Sequence, residues 1–168
     1  MAGGVLRKIL IFGNSGSGKS TLAKQMCESN QLAHLDLDVL AWQDTSPPTR
    51  KPLRESSDII LEFIQRNTGW VIEGCYADLL EVAMPCANEV IFMNLSIEAC
   101  ISNAKNRPWE PHKYDSKEAQ DANLEMLIQW IGEYEKREDT FSMKAHVRLY
   151  DSFQGKKTTY IDNKRSTK

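Results

Sequence analysis

The sequence predicts an α/β domain in three layers: a parallel sheet with helices on both faces. Three observations predict it. Short, nearly continuous apolar runs such as Lys8–Phe12 (KILIF) and Glu89–Leu95 (EVIFMNL) suit strands buried on both faces. Segments with apolar residues at helical spacing fill the intervals between such runs. The resulting order, βαβαβαβααβ, has no internal repeat, and right-handed crossovers turn such an order into a parallel sheet.

The elements follow in turn. After the first strand comes a glycine-rich loop, then a helix from about Ser20 to Asn30 with the i, i+4 pairs Leu22/Met26 and Ala23/Cys27. Gln31–Leu37 contains the second strand. The segment Gln43–Pro52 (QDTSPPTRKP) carries three prolines and is a loop. A helix over Leu53–Gln65 places Ile59, Ile60, Phe63 and Ile64 on one face, and Trp70–Glu73 forms the third strand. A short helix over Ala77–Met84 stops at Pro85. Ser96 is placed to cap a helix in which Ile97, Cys100, Ile101 and Ala104 share a face. Arg107–Ser116 (RPWEPHKYDS) breaks helical periodicity. A long helix then runs over Lys117–Arg137, another over Ser142–Phe153, and Lys157–Ile161 is the last strand. The tail from Asp162 is polar and expected to fray.

The chain has 168 residues, which at about 150 residues per domain implies one domain over 1–168. Apolar residues make up 41% and charged residues 26%, enough for a packed core and too apolar for wholesale disorder. The net charge of −2 argues against a duplex-DNA binder, and nucleic acid is not the expected partner. The apolar run Ile9–Phe12 is too short for a signal peptide, and no segment is long enough to span a bilayer, so the expected location is the cytoplasm. Cys27, Cys75, Cys86 and Cys100 contain no Cys-x-x-Cys pair, so they are expected to be small, buried apolar residues.

Gly13-Asn14-Ser15-Gly16-Ser17-Gly18-Lys19-Ser20 satisfies G-x-x-x-x-G-K-[ST], with a strand before it and an amphipathic helix after it. The glycines let the backbone curl so that successive amides point at phosphate oxygens. The start of the helix adds partial positive charge. Lys19 is placed to reach the β and γ phosphates, and Ser20 to offer a hydroxyl to Mg²⁺. Residues Gly13 to Thr21 are thus the expected ATP-binding segment, with Mg²⁺ as its companion.

Other phosphate-loop classes fit less well. Asn163-Lys164 is followed by Arg165-Ser166, so the aspartate that would read a guanine base is missing. No apolar run ends in Asp-Glu, as a motor ATPase would need.

Four segments together resemble the small-molecule kinase branch of P-loop proteins, which includes adenylate, shikimate and gluconate kinases. Within it the chain is most similar to bacterial adenylate-kinase-like proteins of the topology-modulation group. The segments are the loop GNSGSGKS, His34-Leu35-Asp36-Leu37-Asp38, Trp70-Val71-Ile72-Glu73-Gly74-Cys75-Tyr76, and Arg107-Pro108. The resemblance runs from about Arg7 to Ile161. It implies the P-loop fold with five strands in the order 2-3-1-4-5, a lid over about 107–118 and an acceptor-side insert over about 42–66.

The expected roles follow from charge and position. Lys19 and Arg107 are cations for the transferring phosphoryl group, Arg107 being mobile; alternatively, Arg107 is an exposed helix-end residue. Asp36, at the end of the second strand, orients metal-bound water or draws a proton from the acceptor, unless it serves as a cap or turn residue. Asp38 shares its face in an extended segment, and the resemblance makes it the acceptor-binding carboxylate. Glu73 stands where the family has aspartate and could hold Mg²⁺ with Ser20 and Asp36, or bind the acceptor. Gly74 would admit an acceptor to the backbone. Arg54, beside the proline loop, and Arg137, at the end of the long helix, are acceptor-side candidates, with solvent exposure the alternative for both. His112 and Lys113 are weaker candidates in the lid, and His34 is read as structural. Trp130 is read as core. The expected activity is ATP-dependent phosphoryl transfer to a small metabolite or nucleotide; the alternative is an ATP-binding, ATP-hydrolysing regulator without such an acceptor.

Overall fold

The computed structural model describes residues 6–45 and 48–164. The base-reading comparison at Arg165-Ser166 and the extreme end of the polar tail lie outside the described residues.

Five parallel strands form one sheet: β1 (Lys8–Gly13), β2 (Ala33–Asp36), β3 (Trp70–Gly74), β4 (Glu89–Met93) and β5 (Lys156–Tyr160). Their order is β2-β3-β1-β4-β5, as expected. The helices are α1 (Lys19–Asn30), α2 (Leu53–Arg66), α3 (Ala77–Ala83), α4 (Ile97–Lys105), α5 (Lys117–Gly132) and α6 (Met143–Ser152).

Alternation along β1 divides the core. Leu10 and Phe12 pack with Ile72, Phe92, Ile60, Leu80 and Leu149 on the face covered by α2, α3 and α6. Ile9 and Ile11 pack with Val71, Ile91, Leu22, Cys100 and Ile131 under α1, α4 and α5. Ser96, Ser116 and Ser142 each accept a bond from the amide three residues on, which starts α4, α5 and α6. At the far end of the sheet, Arg7 grips Glu89 with two bonds of 3.0 and 2.7 Å. The four cysteines are free thiols, Cys100 buried and the others half-buried. Among the described residues no helix is long and apolar enough to cross a membrane.

Two local readings change, and a third gains detail. The segment Leu37–Val39 is a 3-10 turn, not an extension of β2. It forms because Asp36 Oδ1 accepts the Asp38 amide at 2.9 Å, so the alternation that would put Asp36 and Asp38 on one face does not apply. The long helix ends at Gly132 rather than Arg137, and tight turns follow it. The proline loop is pinned by a bridge between Trp42 and Arg50, with Gln43 donating to the Thr49 carbonyl at 2.7 Å.

Candidate functional site

The carboxyl ends of β1, β2 and β3 meet at one edge, where open parallel sheets place their ligand crevice. Register sets the neighbours: Phe12 pairs with Gly74, Gly13 with Met93, and Asp36 with Glu73.

The loop leaving β1 is shaped by glycine at positive φ, 78° at Gly16 and 91° at Gly18. Its amides at Ser15, Gly16 and Gly18, with those of Lys19 and Ser20 at the start of α1, bond to no carbonyl among the described residues. Lys19 Nζ folds back to the Asn14 carbonyl at 2.7 Å, which also receives the Ser17 amide at 3.2 Å. Asn14 itself is buried, and its Nδ2 donates to the Ile131 carbonyl at 3.2 Å, so its side chain braces the loop against α5. The Ser17 hydroxyl is buried too, whereas Thr21 is exposed.

Ser20 Oγ donates to Glu73 Oε2 at 2.8 Å, and His34 Nε2 stands 3.1 Å from the same oxygen. The β2–β3 register thus brings His34 into the site, through a carboxylate one strand away. Local sequence carries no signal for this contact.

Asp36, Asp38, Glu110 and Lys113 form a charged cluster beside it. Lys113 Nζ lies 3.0 Å from Asp38, 3.6 Å from Asp36 and 3.8 Å from Glu110. Asp38 is 41% exposed. Its other oxygen accepts from the Tyr76 hydroxyl, which in turn accepts from Trp42 Nε1 at 2.9 Å. Burial raises the Asp36 carboxyl above its ordinary pKa, and the charges of Glu73 and Asp38 add to it against Lys113. Burial pushes Asp38 the same way, but the Lys113 ammonium and the Tyr76 hydroxyl outweigh it and hold Asp38 below its usual range. Burial alone would depress Lys113; Asp38, Asp36 and Glu110 raise it instead.

Arg107 pairs inside its own segment, with Glu110 at 3.2 Å, whereas Lys113 of the same segment crosses to Asp36 at the end of β2 and to Asp38 in the turn after it. Arg137 is 11% exposed and lies over the Trp130 ring, 3.7 Å from its centroid, while donating to the Trp130 carbonyl. Trp130 is half-buried and also meets Phe141 edge-on. Arg54 is exposed, with no ion pair among the described residues. Arg50, in the same loop region, bonds Asp78 at 3.1 Å and stacks over Tyr76. The space a side chain would need at Gly74 is taken by Leu37, whose Cβ would stand 2.9 Å from a Cβ there.

Below the site, His146 is fully buried. Its Nε2 donates to the Cys75 carbonyl at 2.8 Å, which leaves Nδ1 to accept from the Tyr134 hydroxyl at 2.6 Å. This ties α6 to the turn between β3, which carries Glu73, and α3, next to Tyr76. Burial pushes the Cys75 thiol up to about 12, so it is inert at neutral pH.

No protein-family model matches the chain, and no curated protein matches it. Among solved structures, a gluconokinase from Sinorhizobium meliloti 1021 is similar, at 17% identity over 73% of this chain and 75% of that chain, with a TM-score of 0.47. The fold assignment rests on the strand order and register given above.

Proposed function

We propose that the protein is an ATP- and Mg²⁺-dependent phosphotransferase that moves the γ-phosphoryl group of ATP to a small metabolite or nucleotide acceptor. The observation that carries this reading is the group of unpartnered amides between Gly13 and Ser20, with Lys19 among them and the carboxylates of β2 and β3 alongside. Phosphoryl transfer needs positioning and charge neutralisation more than covalent chemistry, and these are the groups that supply both.

Lys19 is the cation for the β and γ phosphates. The oxygens of Ser20, Glu73 and Asp36 are hard donors that suit Mg²⁺, which keeps several waters and needs few protein ligands. Bound there, Mg²⁺ would neutralise phosphate charge. Asp36, its pKa raised, is the candidate proton acceptor. Asp38 and Glu73 are the carboxylates of the acceptor side and Arg54 its exposed cation, whereas Gly74, closed over by Leu37, and Arg137, packed on Trp130, support that side from beneath rather than touching an acceptor. Arg107 is the cation that closes with the lid, which also excludes water.

A second reading, an ATP-binding regulator without an acceptor, is favoured by one contact: Lys113 covers both carboxylates that an acceptor would use. ADP release measured with and without a panel of nucleoside monophosphates and hydroxylated metabolites separates the two. A kinase gives acceptor-dependent release; a regulator gives binding without stimulation. Lys19→Ala abolishes ATP binding and turnover while the thermal transition persists. Undiminished turnover in that variant removes the loop from the mechanism.

A further inference from the structure

The turn after β5 makes contacts that the proposed reaction does not account for. Asp162-Asn163-Lys164 leaves the sheet edge with the Lys164 amide donating to Asp162 Oδ1 at 2.9 Å. Asn163 reaches back to the phosphate loop, where its Nδ2 donates to the Ser17 carbonyl at 3.0 Å. Its Oδ1 accepts from Asn103 Nδ2 of α4 at 2.8 Å. Asn103 donates as well to the Gly16 carbonyl at 2.8 Å. The approach is close enough that a Cβ on Gly18 would lie 2.6 Å from Asn163 Nδ2.

These bonds determine where the loop amides point. In a trans peptide the carbonyl and the following N–H face opposite ways. Asn163 draws the Ser17 carbonyl outward, so the Gly18 amide turns inward, and that amide has no partner among the described residues. Asn103 does the same one peptide earlier, but there the Ser17 amide meets the Asn14 carbonyl at 3.2 Å. The Gly18 amide is the one that Asn163 makes available to a ligand.

We propose that Asn163, held in place by Asn103, is a positioning residue for the phosphate cradle: it aims the Gly18 amide at a nucleotide phosphate and makes the post-β5 turn part of the ATP site. The inference rests on the nucleotide-binding reading above. It assigns the Asn163-Lys164 pair, which fails as a base-reading signature, to the phosphate side of the ligand.

The test is calorimetric titration, with Mg²⁺, of ATP and separately of inorganic tripolyphosphate, which has no base. Asn163→Ala weakens both ligands by the same factor, about tenfold, as expected for one misdirected hydrogen bond to a charged group. Asn163→Asp does no better, because a carboxylate cannot donate to the Ser17 carbonyl. In the double variant with Asn103→Ala the losses are less than multiplicative, since Asn103 acts partly through Asn163. Melting curves without ligand confirm that each variant folds. Unchanged tripolyphosphate affinity in both Asn163 variants overturns the inference, even if ATP affinity falls, since that loss would belong to the base. If the wild type binds neither ligand, the nucleotide reading fails and this inference with it. If the wild type binds and Asn163→Ala binds equally well, this inference alone fails.

Discussion

The buried imidazole of His146 makes stability depend on pH in a way that can be worked out in advance. Burial, with smaller contributions from the Lys19 and Arg137 charges against its bond to the Cys75 carbonyl, holds its pKa at about 4. An unfolded chain offers about 6.5. The folded value is depressed, so the stabilisation is complete above about pH 6.5 and is lost as pH falls toward 4. With those two values, about 2 kcal/mol disappears between pH 8 and pH 5. A second proton would also sit on Nδ1, against the Tyr134 hydroxyl that now donates to it. The assay is urea unfolding of the wild type and of His146→Gln at intervals from pH 8 to pH 5. The variant is less stable at pH 8, yet it loses about 2 kcal/mol less than the wild type on acidification. His34, His112 and every carboxylate are common to both proteins, so they cancel in the difference. Identical acid slopes would show that His146 is not the titrating group.

Three further outcomes are expected. Lys113→Met raises the Asp38 carboxyl, because the ammonium 3.0 Å away does most to hold it down, ahead of the Tyr76 hydroxyl; a carbon-detected NMR titration reads this, and an unmoved Asp38 refutes it. Gly74→Ala forces a methyl to within 2.9 Å of Leu37 Cβ in a buried turn and costs about 1–3 kcal/mol in denaturant unfolding; a neutral result would mean that the 3-10 turn yields freely. Arg107→Ala lowers kcat with whichever acceptor supports turnover and leaves ATP affinity nearly intact. If only affinity falls, Arg107 does not act on the transferring group.

The sheet and the glycine-rich turn after β1 were legible because their signals are local. A doubly buried strand reads as an unbroken apolar run, as in KILIF, and the spacing of Gly13, Gly18 and Lys19 encodes the turn itself. The charged cluster at the ends of β2 and β3 was less legible because its contacts join residues distant in sequence. Arg107 and Lys113 are both cations in an aperiodic segment, and only the folded chain shows that Arg107 turns to Glu110 while Lys113 reaches Asp38. Asp36 caps a turn that no apolar pattern announces, and that turn changes the direction of Asp38. His146 reads in sequence as one more polar residue on an amphipathic helix. Its burial depends on Tyr134 and the Cys75 carbonyl arriving from two other parts of the chain. Asn163 was visible as half of a familiar pair, but its partners, Ser17 and Asn103, are set by the sheet order alone.

The position of β1 has a consequence for biosynthesis. It lies at the middle of the sheet, yet its flanking strands are encoded far downstream: Lys8 waits for Trp70 and Ile9 for Glu89. As the chain emerges from a ribosome, this greasy segment has no mate until β3 and then β4 follow it out. Its apolar faces therefore stay unpaired longest before β3 emerges, and the glycine loop that follows it cannot become rigid until β4 has docked as well.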